Sequence, residues 1–271
     1  MLDEAMPYRD VTLYGHCEQV LAKVPSNHVR TTITSPPYWN LRDYKADGQI
    51  GIEPTIDEYV GSLTRVFRQV HRVTMPDGTL WLNLGDAYNA YNGNRGASKG
   101  MSRGADEARP KWQTGHGLTV PGLANKNLLG LPWRVTFALQ EAGWILRGDI
   151  IWSKTRSMPE RVKDRPKRAH EYLFLFSKQE RYFFNKKELA GDLARSVWTI
   201  PTESYSGAHF AVFPSEIPRR CIRLSTGLGD VVFDPFAGSG TTSAVAKSMG
   251  RRYLNIELNK SYRSLIEERL K

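Results

Sequence analysis

The segment DVVFDPFAGSGTTSAVAKSMG, residues 230–250, restricts the fold more than any other. A short apolar run leads through Gly238 and Gly240 into a helical pattern. A buried strand that turns straight into a helix belongs to a βαβ unit, and such units build parallel sheets with helices on their faces. Glycines in this turn let the backbone approach a ligand closely, and the helix start offers free N–H groups. The turn alone does not name the ligand. The dinucleotide fingerprint GxGxxG requires a third glycine where Ser243 stands, and a Walker loop requires a lysine after Gly240, where Thr241 stands. Phosphate-binding readings are therefore disfavoured. Glu257 closes the next apolar run, about 20 residues beyond the turn, where an acid typically takes ribose hydroxyls. The position suits a helix-capping or surface acid equally well. A ribose-bearing ligand without a required pyrophosphate fits, and S-adenosyl-L-methionine is one.

The rest of the chain keeps the α/β rhythm. VTLYGHC (11–17) alternates like a strand, EQVLAKV (18–24) reads as a short helix, and HVRTTITS (28–35) is a β-branched strand that stops at Pro36. Residues 56–74 space Tyr59, Leu63, Val66, Phe67 and Val70 at helical intervals. MPDG (75–78) reads as a turn and TLWLNLGD (79–86) as the next strand. The rhythm then breaks. Residues 87–117 are rich in Gly, Asn and Arg with little apolar periodicity, and a loop this long in a compact domain is usually functional or disordered. A helix with an early proline (131–144) and a strand (145–154) follow, then a second basic loop (154–168). A strand at 171–178 pairs in a hairpin with RYFFN (181–185), by expectation. PSEIPRRCIRLS (214–225) reads as a helix, RRYLNIELN (251–259) as a strand, and residues 261–271 as a final helix. The fold class is thus α/β with a doubly wound, mostly parallel sheet. No internal repeat is present.

TSPPYWN (34–40) breaks the strand at 28–35 in an unusual way. Proline has no N–H and holds its predecessor extended, so Pro36 and Pro37 fix a backbone whose carbonyls point outward without internal partners. Ser35 adds a hydroxyl and Tyr38 a flat face. A flat ring carrying an exocyclic amine matches this set: the ring stacks on Tyr38, and the amine donates to Ser35 and a proline carbonyl. Alone, the stretch is better read as a proline-rich turn at a strand end with Tyr38 as packing. The glycine turn in the same chain favours the amine.

TSPPYW and DPFAGSGTT together resemble the amino-methylating DNA methyltransferases, which move a methyl group from S-adenosyl-L-methionine to an exocyclic base nitrogen. The resemblance extends over RVTMPDGTLWLNLGDAY, GLPWRVTFALQEAGWILRGDIIWSK, KDRPKRAHEYLFLFSK and GRRYLNIELNKSY. The order, SPPY first and glycine turn last, is similar to the beta subgroup, a circularly permuted form of the methyltransferase fold. The resemblance implies a catalytic role for Ser35, Pro36, Pro37 and Tyr38. It implies a cofactor-binding role for Asp234, Phe236, Gly238, Gly240 and Glu257. HFAVFP (209–214) matches, more loosely, the segment on the methionine end of the cofactor. One departure stands at His16, where the family has an acid on the adenine amine, leaving backbone groups as the alternative there. Residues 1–86 would form the catalytic half, 87–130 the target-recognition insertion, and 131–271 the remainder. Serine at the first motif position goes more often with cytosine N4 in this family, and aspartate with adenine N6, so N4-cytosine is expected and N6-adenine is the alternative.

Charge agrees with a nucleic-acid partner. Lys and Arg number 38 against 28 Asp and Glu, an excess of +10 that favours phosphate contacts. The basic stretches 87–130 and 154–168 are the expected DNA-facing regions. Double-stranded DNA is the expected partner. The resemblance adds a cognate restriction endonuclease and a homodimer as further expectations. Two cysteines outside any CxxC, and six histidines without ligand spacing, argue against a disulfide framework or zinc. No run reaches the length of a membrane helix, and MLDEAMPYRD lacks a signal peptide's apolar core, so a cytoplasmic, nucleoid-associated location is expected. Two other classes compete: a DNA-binding protein without catalysis, and a methyltransferase of protein amides, which commonly has Asn before the two prolines.

Overall fold

The computed structural model describes residues 8–89, 120–155, 162–204, 211–212 and 214–271. In chain order it contains β1 (Val11–Tyr14), α1 (Cys17–Leu21), β2 (Val29–Thr34), α2 (Ile56–Val73), β3 (Thr74–Leu84) and α3 (Leu131–Glu141). Next come β4 (Ile145–Ser153), β5 (His170–Ser177), β6 (Val197–Thr199), β7 (Glu203–Ser204), β8 (Ala211–Val212) and α4 (Glu216–Ser225). β9 (Val231–Asp234), α5 (Thr241–Ser248), β10 (Arg252–Glu257) and α6 (Arg263–Arg269) complete it.

Eight strands form one sheet in the order β1-β10-β9-β2-β3-β5-β4-β6. Only β5 runs against its neighbours, pairing antiparallel with both β3 and β4. The last two strands of the chain lie between the first two. The central strands are apolar on both faces, as strands covered by helices must be. Leu80 and Leu82 of β3, Phe174 and Phe176 of β5, and Val231 and Phe233 of β9 face one core with α1, α2 and α3. The alternating residues Trp81, Leu173, Leu175 and Val232 face the other core, under α4 and α5. This period-2 split is the doubly wound arrangement.

The α2 helix follows its sequence pattern closely. Thr55 accepts the Glu58 N–H as its cap, and Tyr59, Leu63, Val66, Phe67 and Val70 are all buried. Each such side chain contributes roughly 1.5–3 kcal/mol of burial.

Two expectations fail for a shared reason. Residues 75–78 are not a turn between elements but part of β3, where the register against β2 jumps between Val29↔Thr74 and Thr31↔Thr79. The carbonyls of this bulge are taken by later chain: Lys178 N–H donates to Gly78 at 3.2 Å and Phe183 N–H to Asp77 at 2.8 Å. RYFFN (181–185) is accordingly not a strand. Both edges of β5 are already filled by β3 and β4, so a hairpin partner has no place to bind. The short strands β6, β7 and β8 carried no sequence signal. The helix expected at 131–144 ends at Glu141, before Gly143, whose φ of +98° is left-handed.

Candidate active site

The parallel strands β1, β10, β9, β2 and β3 point their carboxyl ends to one edge of the sheet, where α/β proteins bind ligands. Because β5 is reversed, its first residues reach the same edge. The cleft there has two connected lobes, and Ser35, Phe236 and Gly238 line both.

The first lobe, about 650 Å³ and part open to solvent, lies against the glycine turn. Gly238 has a φ of +52°, and a Cβ built on it meets nothing nearer than the Phe236 carbonyl at 4.0 Å, so the turn leaves open space in front of it. The Glu257 carboxylate accepts the Gly238 N–H at 2.7 Å and the Asn259 N–H at 2.8 Å. It therefore holds the turn to the end of β10 while facing the cleft. Burial pushes its carboxyl up to about 7, against the pull of those two N–H groups. Phe236 packs edge-on to Phe67 of α2 at 6.4 Å. Gly240 is a packing glycine, with Ile266 of α6 3.3 Å from a built Cβ. Ser243, which breaks the dinucleotide fingerprint, is buried and accepts the Asn255 amide at 2.8 Å. His16 also lines this lobe, and its Nδ1 is buried without a partner among the described residues.

Asp234 connects the two motifs. Its Oδ1 accepts the Thr34 hydroxyl at 2.6 Å and the Phe236 N–H at 3.0 Å, so one buried carboxylate fixes both the start of SPPY and the start of the glycine turn. Burial raises it to about 6.

The second lobe holds Ser35, Pro36 and Tyr38. The Tyr38 hydroxyl donates toward Glu171 Oε2 at 2.7 Å and Asn83 Oδ1 at 3.2 Å, and Ser35 Oγ donates to it at 3.3 Å. Burial first, and the Glu171 charge second, lift the Tyr38 phenol well above its ordinary value. Lys154 pairs with Glu171 and sits 4.5 Å from the Trp152 ring centre. One expectation is corrected here: the proline carbonyls are not both free. Pro37 accepts the Tyr59 hydroxyl at 2.9 Å, which anchors the turn on α2, whereas Pro36 has no partner among the described residues.

The two ends of the segment 87–130 are tied at the same edge. Asp86 accepts the Gly130 and Leu131 N–H groups, each at 3.1 Å, and Asn89 accepts the Val120 N–H and donates to Leu123. Arg165 lies over the Tyr88 ring at 3.9 Å, and Lys126 pairs with Asp164 at 2.6 Å. The two basic stretches thus touch at their roots. Residues 90–119 and 156–161, and His209, Phe210 and Phe213 of HFAVFP (209–214), lie outside the described residues; Ala211 and Val212 form β8. Among the described residues no helix is long and apolar enough to cross a membrane, and no His, Cys, Asp or Glu group is arranged to hold a metal. Cys17 and Cys221 are buried free thiols, the first pushed by burial up to about 12 and the second well above its ordinary value.

The family described as DNA methylase, of the N6/N4 type, matches residues 29–268. The chain belongs to this family. Among its relatives, it is 47% identical to the Type II methyltransferase M.XycI of Xanthomonas campestris pv. cyanopsidis, over 98% of this chain and 90% of that protein. It is 43% identical to the Type II methyltransferase M.SmaI of Serratia marcescens, over 95% and 89%. Among solved structures, the Thermus thermophilus DNA modification methylase TTHA0409, complexed with S-adenosyl-L-methionine, aligns with a TM-score of 0.68 at 27% identity, covering 96% of this chain and 92% of that one. The PvuII DNA methyltransferase (cytosine-N4-specific) shares the fold, with a TM-score of 0.73 at 22% identity over 96% and 86%.

For this DNA methylase, sequence reasoning missed Asn83, Gly85, Lys154 and Glu171. A Cβ built on Gly85 would lie 2.7 Å from Tyr38 Cε2, so the glycine makes room for that ring. Asn83 and Glu171 lie near the ends of β3 and β5, and Gly85 and Lys154 just past the ends of β3 and β4; those strand ends were the available signal.

Proposed function

We propose that this DNA methylase transfers a methyl group to the exocyclic N4 of cytosine in duplex DNA, with the target base extruded from the helix. S-adenosyl-L-methionine is its cofactor, supplying an electrophilic methyl on a sulfonium whose leaving group is a neutral thioether. The residues present fit that group. The space in front of Gly238 accepts a close ligand, His16 Nδ1, without a partner among the described residues, offers a polar contact, and the elevated Glu257 carboxyl can take the hydroxyl donors that a ribose has.

The observation that carries the reading is the junction at Ser35, which borders the glycine-turn lobe on one side and the Tyr38 lobe on the other. In this reading Glu257 and the Gly238 turn hold the ribose end, and Phe236 walls the space between the lobes. Pro36, whose carbonyl has no partner among the described residues, and Ser35 accept from the two protons of the amine, and the methylated nitrogen then gives up one proton to water. Tyr38 stays neutral, because its phenol is raised, and gives the ring of the base a surface. A stacked, paired base cannot reach such a cleft, so it must leave the helix. Positioning supplies most of the acceleration, and no protein nucleophile is required. Both cysteines are held as buried thiols. Serine rather than aspartate at position 35 favours cytosine. The insertion at 87–130 and the stretch 154–168 grip phosphates and read the groove. As a relative of Type II methyltransferases, the enzyme protects sites cut by a restriction endonuclease.

Nucleoside mass spectrometry on DNA from expressing cells, in a host without its own amino-methylation, tests this. N4-methylcytosine is the expected product. N6-methyladenine would overturn the base assignment, and no methylated base would overturn the catalytic reading.

A further inference from the structure

The hydrogen bonds behind Ser35 have only one consistent direction. Glu171 Oε2 and Asn83 Oδ1 are acceptors, the latter because the Asn83 amide nitrogen donates to the Tyr172 carbonyl at 3.0 Å. A tyrosine hydroxyl has one proton. Between two acceptors Tyr38 gives that proton to Glu171, the nearer at 2.7 Å, and its oxygen is left to accept. Ser35, 3.3 Å away, must then donate its own proton inward to Tyr38. What Ser35 presents to the cleft is lone pairs alone.

We infer that Glu171 is a positioning residue: through Tyr38 it turns the Ser35 hydroxyl into an obligate acceptor, which selects a donor such as an amine and repels a carbonyl oxygen. The carboxylate reaches Tyr38 from 133 residues away, on the reversed strand β5, and Lys154, just past the end of the neighbouring strand β4, fixes it from the other side. Serine carries no charge, so a negative group is supplied from behind it, along two hydrogen bonds, to a residue that touches the amine. A charge-assisted hydrogen bond is roughly twice as strong as a neutral one, which makes Glu171 rather than Asn83 the dominant partner. The inference rests on amine methylation and not on which base bears the amine.

Tyr38→Phe and Glu171→Gln break the same chain at adjacent links. Each should lower kcat about 10–100-fold with KM for the cofactor unchanged. The double variant should be no slower than Tyr38→Phe alone, since Glu171 acts through that hydroxyl. A readout free of turnover accompanies this. In protein labelled with 13C at tyrosine Cζ, the resonance that vanishes in Tyr38→Phe should shift in Glu171→Gln, while both variants bind S-adenosylhomocysteine as the unaltered enzyme does. Full turnover of Glu171→Gln, multiplying effects in the double variant, or an unmoved Tyr38 resonance would overturn the inference. An N6-methyladenine product would sink the cytosine assignment and leave this inference standing.

Discussion

Glu257 shows how far one side chain can be read from position and how much the fold adds. Its place about 20 residues after the glycine turn suited a ribose contact or a structural acid equally. In the fold it has a structural role, accepting the Gly238 and Asn259 N–H groups, and still faces the cleft. A carboxyl raised from 4.5 to about 7 binds its proton more tightly folded than unfolded. Its contribution to stability is therefore full below the unfolded value and is lost as pH rises through about 7. In the proposed seat, where ribose hydroxyls donate to the ionised form of Glu257, cofactor binding runs the other way. Calorimetry should find S-adenosylhomocysteine bound about tenfold more tightly at pH 8 than at pH 6, with much of that dependence gone in Glu257→Gln. A pH dependence unchanged by the substitution would remove Glu257 from the cofactor seat. Position 35 is legible in a different sense: the residue type was visible at once, but the direction of its hydroxyl depends on Asn83 and Glu171, which no local motif announces.

At the level of elements, the sequence was most legible where structure is local. Pro36 stops β2, the spacing along 56–73 makes α2, and the apolar run before Gly238 makes β9. It was least legible where pairing decides. MPDG has turn residues yet sits inside β3, because later chain satisfies its carbonyls, and RYFFN has strand residues yet no free edge to join. The missed site residues share this cause. Asn83, Lys154 and Glu171 meet only because β5 runs in register between β3 and β4, with Asn83 opposite Leu173 and Trp152 opposite Glu171. Gly85 sits just past the end of β3, where the ring of Tyr38 leaves no room for a methyl group. Gly85→Ala should lower kcat by at least about tenfold by displacing that ring, with affinity for S-adenosylhomocysteine kept. Unchanged turnover in steady-state assays would mean that the position of Tyr38 does not matter.

Across the whole molecule, the strand order brings together motifs that lie some 200 residues apart. β9 pairs directly with β2, and Asp234 bonds Thr34 across that pair, so SPPY and the glycine turn become neighbours. The sheet's reversed strand adds the third side of the cleft. The basic excess, diffuse in the composition, has its described roots at the same edge, where Arg165 covers Tyr88 beside the base of the insertion. The central claim is that this one cleft brings a base amine to the cofactor. A crystal structure with S-adenosylhomocysteine and a duplex carrying the methylated site measures it most directly. The expected result is an extruded cytosine with its N4 about 3 Å from Ser35 Oγ and the Pro36 carbonyl, and ribose hydroxyls on Glu257. A target base seated away from Ser35, or a cofactor product bound without Glu257, would contradict it.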